Sequence, residues 1–382
     1  MSAATIEKRD LVIVGGGPAG TAAALRLAQI DPALAQRTLI LDRASFPRDK
    51  TCAGGLIPQT LSLLRSLGVG LDVPFVRVDE AVVEAGGPAI EMQDPGCCFV
   101  IRRFEFDAML VAQARARGVE VREGASLRKA TAVDGGVRLE TTAGTIEARV
   151  VIGADGSGSR VRRDLITREE GWVARAAMAD VPVDGPLPDS FHFDFRSVLR
   201  DELDGYEWSF PCLVDGKPHW NVGVYSLARE SQGNEIKDLL ERRKAGVDAR
   251  NRAFPIRLYS PSDPLVAPHV LLAGDAAGID PLLGEGISYS LEYGILAAEH
   301  AKQALALGEF DFSGYEQAVR KSHAGRKLRR LGLGAKLFYG SRRKTWFRLA
   351  RLSRRVQRAG MHWYNGVGPL AAPSSDINNR KP

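Results

Sequence analysis

The chain alternates short, wholly apolar runs with helical and strand-like patterns, and that order predicts an α/β fold. Leu11-Val12-Ile13-Val14 is a continuous apolar run with charge before it and glycine after it, the pattern of a strand buried on both faces. Residues 22–28, rich in alanine and leucine, follow as a helix, and Thr38-Leu39-Ile40-Leu41 as a second strand. Val150-Val151-Ile152 and Val270-Leu271-Leu272-Ala273 repeat the buried-strand pattern, and Met109-Leu110-Val111 reads as part of a helix. Between these runs the period changes to two. Tyr206, Trp208 and Phe210 share one face of an alternating stretch, Asn221-Val222-Gly223-Val224 forms another, and residues 190–195 are strand-like. Residues 238–243 suggest a helix. The pattern predicts a parallel sheet interrupted by a largely antiparallel insertion.

Chemistry enters between the first strand and the first helix. Gly15-x-Gly17-x-x-Gly20 sits there, with Pro18 and Ala19 opening the helix. Gly15 permits a tight turn, Gly17 lets backbone approach a pyrophosphate, and Gly20 lets the helix pack closely on the sheet. The helix start offers unpaired N–H groups to phosphate. Asp42, twenty-two residues after Gly20 and followed by Arg43, ends the second strand where it would accept hydrogen bonds from an adenosine ribose. Strand, turn, helix, strand and acid in that order predict a bound dinucleotide, without separating FAD from NAD. Two later segments also place an acid at the carboxyl end of a buried strand, where open α/β sheets bind ligands. They are Asp155-Gly156, and Gly274-Asp275 with the loop from Pro281 to Gly286 and Ile287 after it.

Composition narrows the remaining classes. With 382 residues, 45% hydrophobic and 26% charged, the chain suffices for two or three domains and is no collagen-like or disordered polymer. Four cysteines are too few for a disulfide framework, and with six scattered histidines they show no metal-ligand spacing, so no metal is expected. The apolar runs fall short of a bilayer span, and no signal-peptide pattern precedes Leu11, so a cytoplasmic, reducing compartment is expected. The net charge of +6 hides an asymmetry. Residues 320–358 carry fifteen of the 52 basic residues and no acid, leaving 37 basic against 46 acidic groups elsewhere. Among those bases Leu328, Leu331, Ala335 and Phe338, then Trp346, Leu349 and Val356 with Leu352 nearby, recur at helical spacing. A solvated helical face, a surface for anionic lipid or a phosphorylated substrate, and a nucleic-acid patch all stand as readings. Gly332, Gly334 and Gly340 are expected to break the segment into short pieces, and no nucleic-acid module accompanies it, so nucleic acid is not an expected partner.

With the glycine turn, Asp155-Gly156 and the segment from Gly274 to Ile287 in this order, residues 10–310 or so resemble the flavoprotein oxidoreductases of the aromatic-hydroxylase fold. The resemblance implies FAD. It puts Asp155 near the cofactor and Asp275 on its ribityl and pyrophosphate part. Gly286 and Ile287 then open a helix aimed at the pyrimidine edge of the flavin, where oriented N–H groups stabilise the reduced anion. Arg103, Phe106-Asp107 and Leu110 match the arginine motif that helps hold the nucleotide, although Arg103 alone also reads as a surface residue at a helix start.

Lys50-Thr51-Cys52-Ala53-Gly54-Gly55 looks like the Cys-x-Gly-Gly loop of the geranylgeranyl reductases within that group, a loop that reaches over the flavin. Cys52 is then a candidate proton donor or pocket wall; read alone, it is equally a buried apolar filler. Tyr206-x-Trp208-x-Phe210-Pro211 and Asn221-Val222-Gly223 match segments of the same reductases and imply a wall for an isoprenoid, with Gly55 and Pro281 beside it and Tyr206 as second candidate donor. Alternation alone leaves that face as core or cavity wall. Cys212 stands where these reductases usually carry lysine.

The implied architecture is α/β, a Rossmann-like FAD-binding domain of the aromatic-hydroxylase type with an inserted antiparallel-sheet substrate domain and a basic helical C-terminus. Its expected bounds are 1–75, 100–171 and 265–319 for FAD, 76–99 and 172–264 for the cap, 320–368 for the basic helices and 369–382 for a flexible tail. The implied activity is reduction of isolated C=C bonds in a geranylgeranyl or other polyprenyl chain by hydride from reduced FAD, with electrons from NAD(P)H or ferredoxin. A prenyl-diphosphate or lipid substrate, an anionic membrane under the basic segment and a monomeric state are expected with it. The competing reading is an FAD-dependent monooxygenase hydroxylating an aromatic or polyketide substrate. Halogenation is disfavoured, because Tyr206 and Phe210 replace residues of the usual halogenase segment.

Overall fold

The computed structural model describes residues 6–166, 172–200, 202–227, 233–351 and 353–365; the expected tail, Leu352 and the side chain of Val356 lie outside the described residues. The N-terminal apolar run becomes the strand Glu7–Val14, whose last four residues are buried. It pairs in parallel with Thr38–Leu41 on one side and Gly144–Gly153 on the other. Glu120–Arg122 and Val270–Leu272 extend the parallel sheet outward. Burial on both faces explains why Leu11–Val14, Thr38–Leu41, Val150–Ile152 and Val270–Leu272 read as continuous apolar runs. A hairpin missed by the sequence pattern, Leu127–Val133 with Gly136–Thr141, joins Gly144–Gly153 antiparallel. Its first strand is mostly exposed and mixes charge with small residues, which leaves little periodicity to find.

The second sheet runs Arg252–Arg257, Val173–Pro182, Lys217–Ser226, Gly205–Val214, Ser190–Asp194, Phe75–Glu84, Ile90–Ile101 and Gly55–Leu56. Among the described residues its one parallel pairing is Ser190–Asp194 with Phe75–Glu84. The short strand Gly55–Leu56, reached directly from the Cys52 loop, pairs with Ile90–Ile101 and so ties that loop to this sheet. The two faces have different partners. Val222 and Val224 pack with Ile236, Leu239 and Leu240 of the helix Gly233–Lys244, while Tyr206, Trp208, Phe210 and Tyr225 gather on the opposite face.

The described residues end in three helices, His323–Phe338, Arg343–Arg351 and Arg354–Asn365. Gly332 and Gly334 do not interrupt the first of these, contrary to expectation; only Gly340 falls in a break. Both helical glycines face the loop after Asp280, where a Cβ would stand 3.8 Å from Pro281 and 3.6 Å from Leu282. Packing there, with Leu328, Leu331 and Ala335 buried, outweighs a propensity cost of about 1 kcal/mol per glycine. Among the described residues no helix is long and apolar enough to cross a membrane.

The first helix, Pro18–Ile30, lies against Ile287–Leu307, and their backbones come closest at Gly294. A Cβ there would sit 2.2 Å from the Ala19 carbonyl oxygen and 2.9 Å from Ala22 Cβ. Gly294→Ala should therefore force the helices apart and lower the unfolding free energy by about 1–3 kcal/mol, measured by urea denaturation.

Candidate active site

A cavity of about 920 Å³ opens between the carboxyl ends of the parallel strands and the aromatic face of the second sheet. Its polar end is built by the glycine turn. Gly15 has φ +111°, and a Cβ on it would lie 2.2 Å from the Ala154 oxygen; one on Gly20 would lie 1.9 Å from the Gly15 oxygen. Turn, helix and the Asp155 segment are thus locked together by backbone contact. Gly17 is open, and no side chain caps the helix that starts at Pro18, so its first N–H groups face the cavity. Two guanidiniums stand close by: the Gly17 Cβ position is 3.7 Å from Arg48 Nη2 and 3.9 Å from Arg103 Nη2.

Both guanidiniums are held by one fully buried carboxylate. Arg103 pairs with Asp107 through two bonds of 2.6 and 2.7 Å, and Arg48 reaches the same group at 2.9 Å. Burial works against the charge of Arg103, but Asp107 keeps it above the usual arginine range. Two cations on one anion leave positive charge facing the uncapped helix. Arg48 carried no sequence signal, since its partner lies far along the chain.

Asp42 accepts the Gly16 and Ala44 N–H groups at 2.8 Å each. Arg43 lies exposed at the cavity rim beside it. Asp155 accepts the Arg160 and Val161 N–H groups on one oxygen, while Oδ1 is buried with no partner among the described residues. Burial pushes the Asp155 carboxyl up. Gly274, Asp275, Gly286 and Ile287 line the cavity, and Ser157 donates to Asp275 at 3.1 Å. An uncapped helix start, an open glycine, two aligned guanidiniums and an unpartnered buried oxygen fit a dinucleotide pyrophosphate and ribityl chain.

The Cys52 loop lies at the junction of polar and apolar ends. Gly54 takes φ +82°, and a Cβ there would be 1.9 Å from the Ile101 oxygen. Cys52 is half-buried, with its Sγ accepting the Gly54 N–H at 3.3 Å, and Ala53, Gly54 and Gly55 line the cavity with it. Two residues earlier, the Lys50 ammonium sits 3.2 Å from the centroid of the Phe254 ring. Burial pulls Lys50 down to about 8, against the opposing charge of Asp275 and with Arg103 adding to the shift.

The apolar end is an aromatic wall. Tyr206, Trp208 and Phe210 line it together with Phe191, Phe193, Phe195 and Tyr225. Ring centroids lie 5.1 Å apart for Phe191 and Phe210, 5.4 Å for Phe193 and Tyr206, and 5.2 Å for Tyr206 and Tyr225. Phe191, Phe193 and Phe195 alternate just as Tyr206, Trp208 and Phe210 do, so the same period of two would have found them. Tyr206 donates its hydroxyl to the Leu283 carbonyl at 2.5 Å, and burial pushes its pKa up.

Pro211, Asn221, Gly223 and Pro281 are not among the lining residues. Asn221 is fully buried and accepts the Trp208 Nε1–H at 2.8 Å while donating to Asp180 at 2.8 Å. Asp180 in turn takes both Arg102 nitrogens. A Cβ on Gly223 would lie 2.1 Å from the Trp208 ring, so the missing side chain makes room for the indole. Asn221 and Gly223 fix Trp208 from behind.

A family model described as "FAD binding domain" matches residues 8–202. The chain is 32% identical over 320 residues to menaquinone reductase of Mycobacterium tuberculosis, covering 77% of this chain and 76% of that protein. It is 31% identical over 322 residues to digeranylgeranylglycerophospholipid reductase 1 of Methanopyrus kandleri, covering 78% and 81%. A geranylgeranyl bacteriochlorophyll reductase-like protein from Thermoplasma acidophilum superposes with a TM-score of 0.78 at 22% identity, covering 94% of this chain and 96% of that one. A flavin-dependent halogenase reaches 0.68 at 21% identity, covering 94% and 70%. The two structures share the fold, and that fold alone does not choose between their chemistries.

Removing the shared anion should expose the cost of the two guanidiniums. Asp107→Ala leaves both without their partner and should destabilise the protein by about 3–5 kcal/mol, with loss of bound flavin absorbance after gel filtration. Lys50 titrates in a different window. Its folded pKa of about 8 lies below the ordinary 10.5, so the fold penalises its charged form fully below pH 8 and the penalty fades as pH rises toward 10.5. At pH 8 an amine-acylating reagent should label Lys50 ahead of the exposed lysines, read by peptide mass spectrometry, and Lys50→Met should remove a rise in stability between pH 8 and 10.5.

Proposed function

From the membership of this chain in the FAD-binding-domain family, among the relatives of polyprenyl-lipid reductases, we propose that it reduces isolated C=C bonds of a polyprenyl chain in an FAD-dependent reaction. The observation that carries this reading is one cavity with two chemistries: a cationic, uncapped helix end beside a dry aromatic wall, with Cys52 where they meet. FAD, once reduced, supplies the hydride. The protein does the rest. The aromatic wall holds an apolar chain and excludes water that would capture a carbon bearing positive charge, and its ring faces favour that charge. The Cys52 sulfur already accepts the Gly54 N–H, which leaves its own proton to be given to the other alkene carbon. Tyr206 orients the wall, because its hydroxyl hydrogen is engaged by Leu283.

Menaquinone and digeranylgeranylglycerophospholipid, named in the relatives, are both polyprenyl chains on lipid head groups, so a prenyl lipid is the substrate class for this chain. Leu333, Leu337, Trp346 and Leu349 are exposed on the C-terminal helices among exposed arginines such as Arg329, Arg330, Arg342 and Arg348. That combination supports docking at an anionic membrane surface from which such a lipid would enter. NAD(P)H and ferredoxin remain the two classes of electron donor that suit the reading.

Dithionite-reduced protein given a panel of prenyl diphosphates, prenylated quinones and prenyl lipids should return chains heavier by two hydrogens for each bond reduced. Cys52→Ala should keep FAD but lose at least about 100-fold in turnover. A product that instead gains oxygen on aeration would replace the reductase reading with the monooxygenase one.

A further inference from the structure

Four tyrosine hydroxyls converge on consecutive residues of the loop 280–286. Tyr364 donates to Asp280 Oδ2 at 2.9 Å, Tyr225 to the Pro281 carbonyl at 3.4 Å, Tyr339 to the Leu282 carbonyl at 2.7 Å and Tyr206 to the Leu283 carbonyl at 2.5 Å. Tyr206 and Tyr225 come from the second sheet; Tyr339 caps the end of His323–Phe338, and Tyr364 lies in Arg354–Asn365. The loop ends at Gly286, whose Cβ position is 3.5 Å from Asp275 Oδ1, and runs into the helix Ile287–Leu307. A shift of the loop therefore moves residues at the flavin end of the cavity.

Tyr364 makes the most consequential of the four contacts. Its acceptor, Asp280, is fully buried and also takes the Leu282 and Leu283 N–H groups at 2.7 and 3.2 Å, so it shapes the turn of the loop itself. Lys327, only 4% exposed, donates to the main-chain carbonyl of Tyr364. Its ammonium lies 5.0 Å from the Tyr364 ring centroid and 5.6 Å from that of Tyr289. Asp280, Glu285 and Glu292 are the acids that answer its charge. The helix carrying Tyr364 also lines the cavity through Gly360 and Met361.

We propose that the C-terminal helix Arg354–Asn365 is a working part of the FAD site: Tyr364, held by Asp280 and Lys327, positions the loop 280–286, so that seating of this helix and retention of FAD are one coupled equilibrium. Tyr364 and Lys327 are positioning residues. Because such coupling is reciprocal, FAD holds the helix down by the same factor by which the seated helix holds FAD. The inference rests on FAD binding and not on the identity of the prenyl substrate.

The test uses the full-length protein and FAD alone. Tyr364→Phe keeps the ring and removes a hydrogen bond to a carboxylate, a loss that corresponds to about a tenfold or larger rise in the FAD dissociation constant. The expected result is that rise, together with faster cleavage inside 354–365 by a dilute protease than in the unmodified protein at the same FAD concentration. Lys327→Met, which leaves the Tyr364 hydroxyl in place, should move both readouts in the same direction. In the unmodified protein, FAD should slow the same cleavage at least fivefold. The proposal is overturned if FAD gives the unmodified protein no protection there. It is equally overturned if either variant, still folded by its thermal transition, frees the helix while binding FAD within twofold of the unmodified protein. The measurement in the unmodified protein decides the matter even if Tyr364→Phe does not fold.

Discussion

Asp280 and Pro281 are buried and Leu282 and Leu283 half-buried, so the acceptors along this loop draw their donors from the protein. A buried carbonyl left without one costs about 1–3 kcal/mol, and a buried carboxylate costs more. Lysine or arginine would satisfy them but would bring charge into an apolar cavity. Tyrosine satisfies them with a neutral hydroxyl, and the rings of Tyr206, Tyr225 and Tyr364 are themselves part of the wall. Burial pushes Tyr206, Tyr225, Tyr339 and Tyr364 up, which keeps all four as protonated donors. The same side chains thus hold a loop that lines the cavity. Since two of them come from the second sheet and two from the C-terminal helical segment, neither part encloses the loop alone.

The cavity is also divided electrically. At its polar end Asp107 balances only one of the two guanidiniums it holds, which leaves positive charge beside an uncapped helix start. At its other end the lining is aromatic and aliphatic, with Glu285 turned toward Ser288 of the following helix. A dinucleotide and an isoprenoid demand that same division, phosphate on one side and hydrocarbon on the other. The surface repeats it on a larger scale. Basic residues crowd the C-terminal helices of an otherwise acidic molecule, yet several are structural: Arg343 pairs with Asp204 at 2.7 Å, Arg351 donates to the Ala85 carbonyl, and Lys327 is buried. Charge counting alone overstates how much of that segment faces outward.

The parts legible in the sequence are those governed by local sterics or by strict period. Gly15 and Gly20 could be read because a turn and a helix crossing admit no side chain there: a Cβ would stand 2.2 and 1.9 Å from backbone oxygens. Tyr206, Trp208 and Phe210 could be read because alternation assigns one face of a strand. The same alternation at Phe191, Phe193 and Phe195 was available but lacked a motif to draw the eye. Arg48 was not legible, because its role comes from Asp107, fifty-nine residues away, through a loop without period. The uninterrupted helix through Gly332 and Gly334 was not legible either, since propensity argues for a break and only the packing against Pro281 and Leu282 argues against it. Gly223 shows a subtler failure: its face was right, but the space it leaves belongs to the Trp208 indole and not to a substrate.

Tyr206 and Cys52 both stood as proton donors on sequence grounds, and their surroundings separate them. For Tyr206 to give up its proton, the Leu283 carbonyl would lose its donor and a phenolate would be left buried against it. Desolvation alone already pushes this hydroxyl up, with the Asp280 charge adding to it. The loop would pay for the chemistry at every turnover. Cys52 carries no such obligation. The residue is half-buried in the cavity lining, and its sulfur accepts an N–H from Gly54 without holding any other part of the fold in place. An acid that can be emptied and refilled without disturbing the fold is the better catalyst, and a hydroxyl bonded to a buried carbonyl is the better strut. The proposed reaction therefore assigns the donor's task to Cys52 and the strut's to Tyr206.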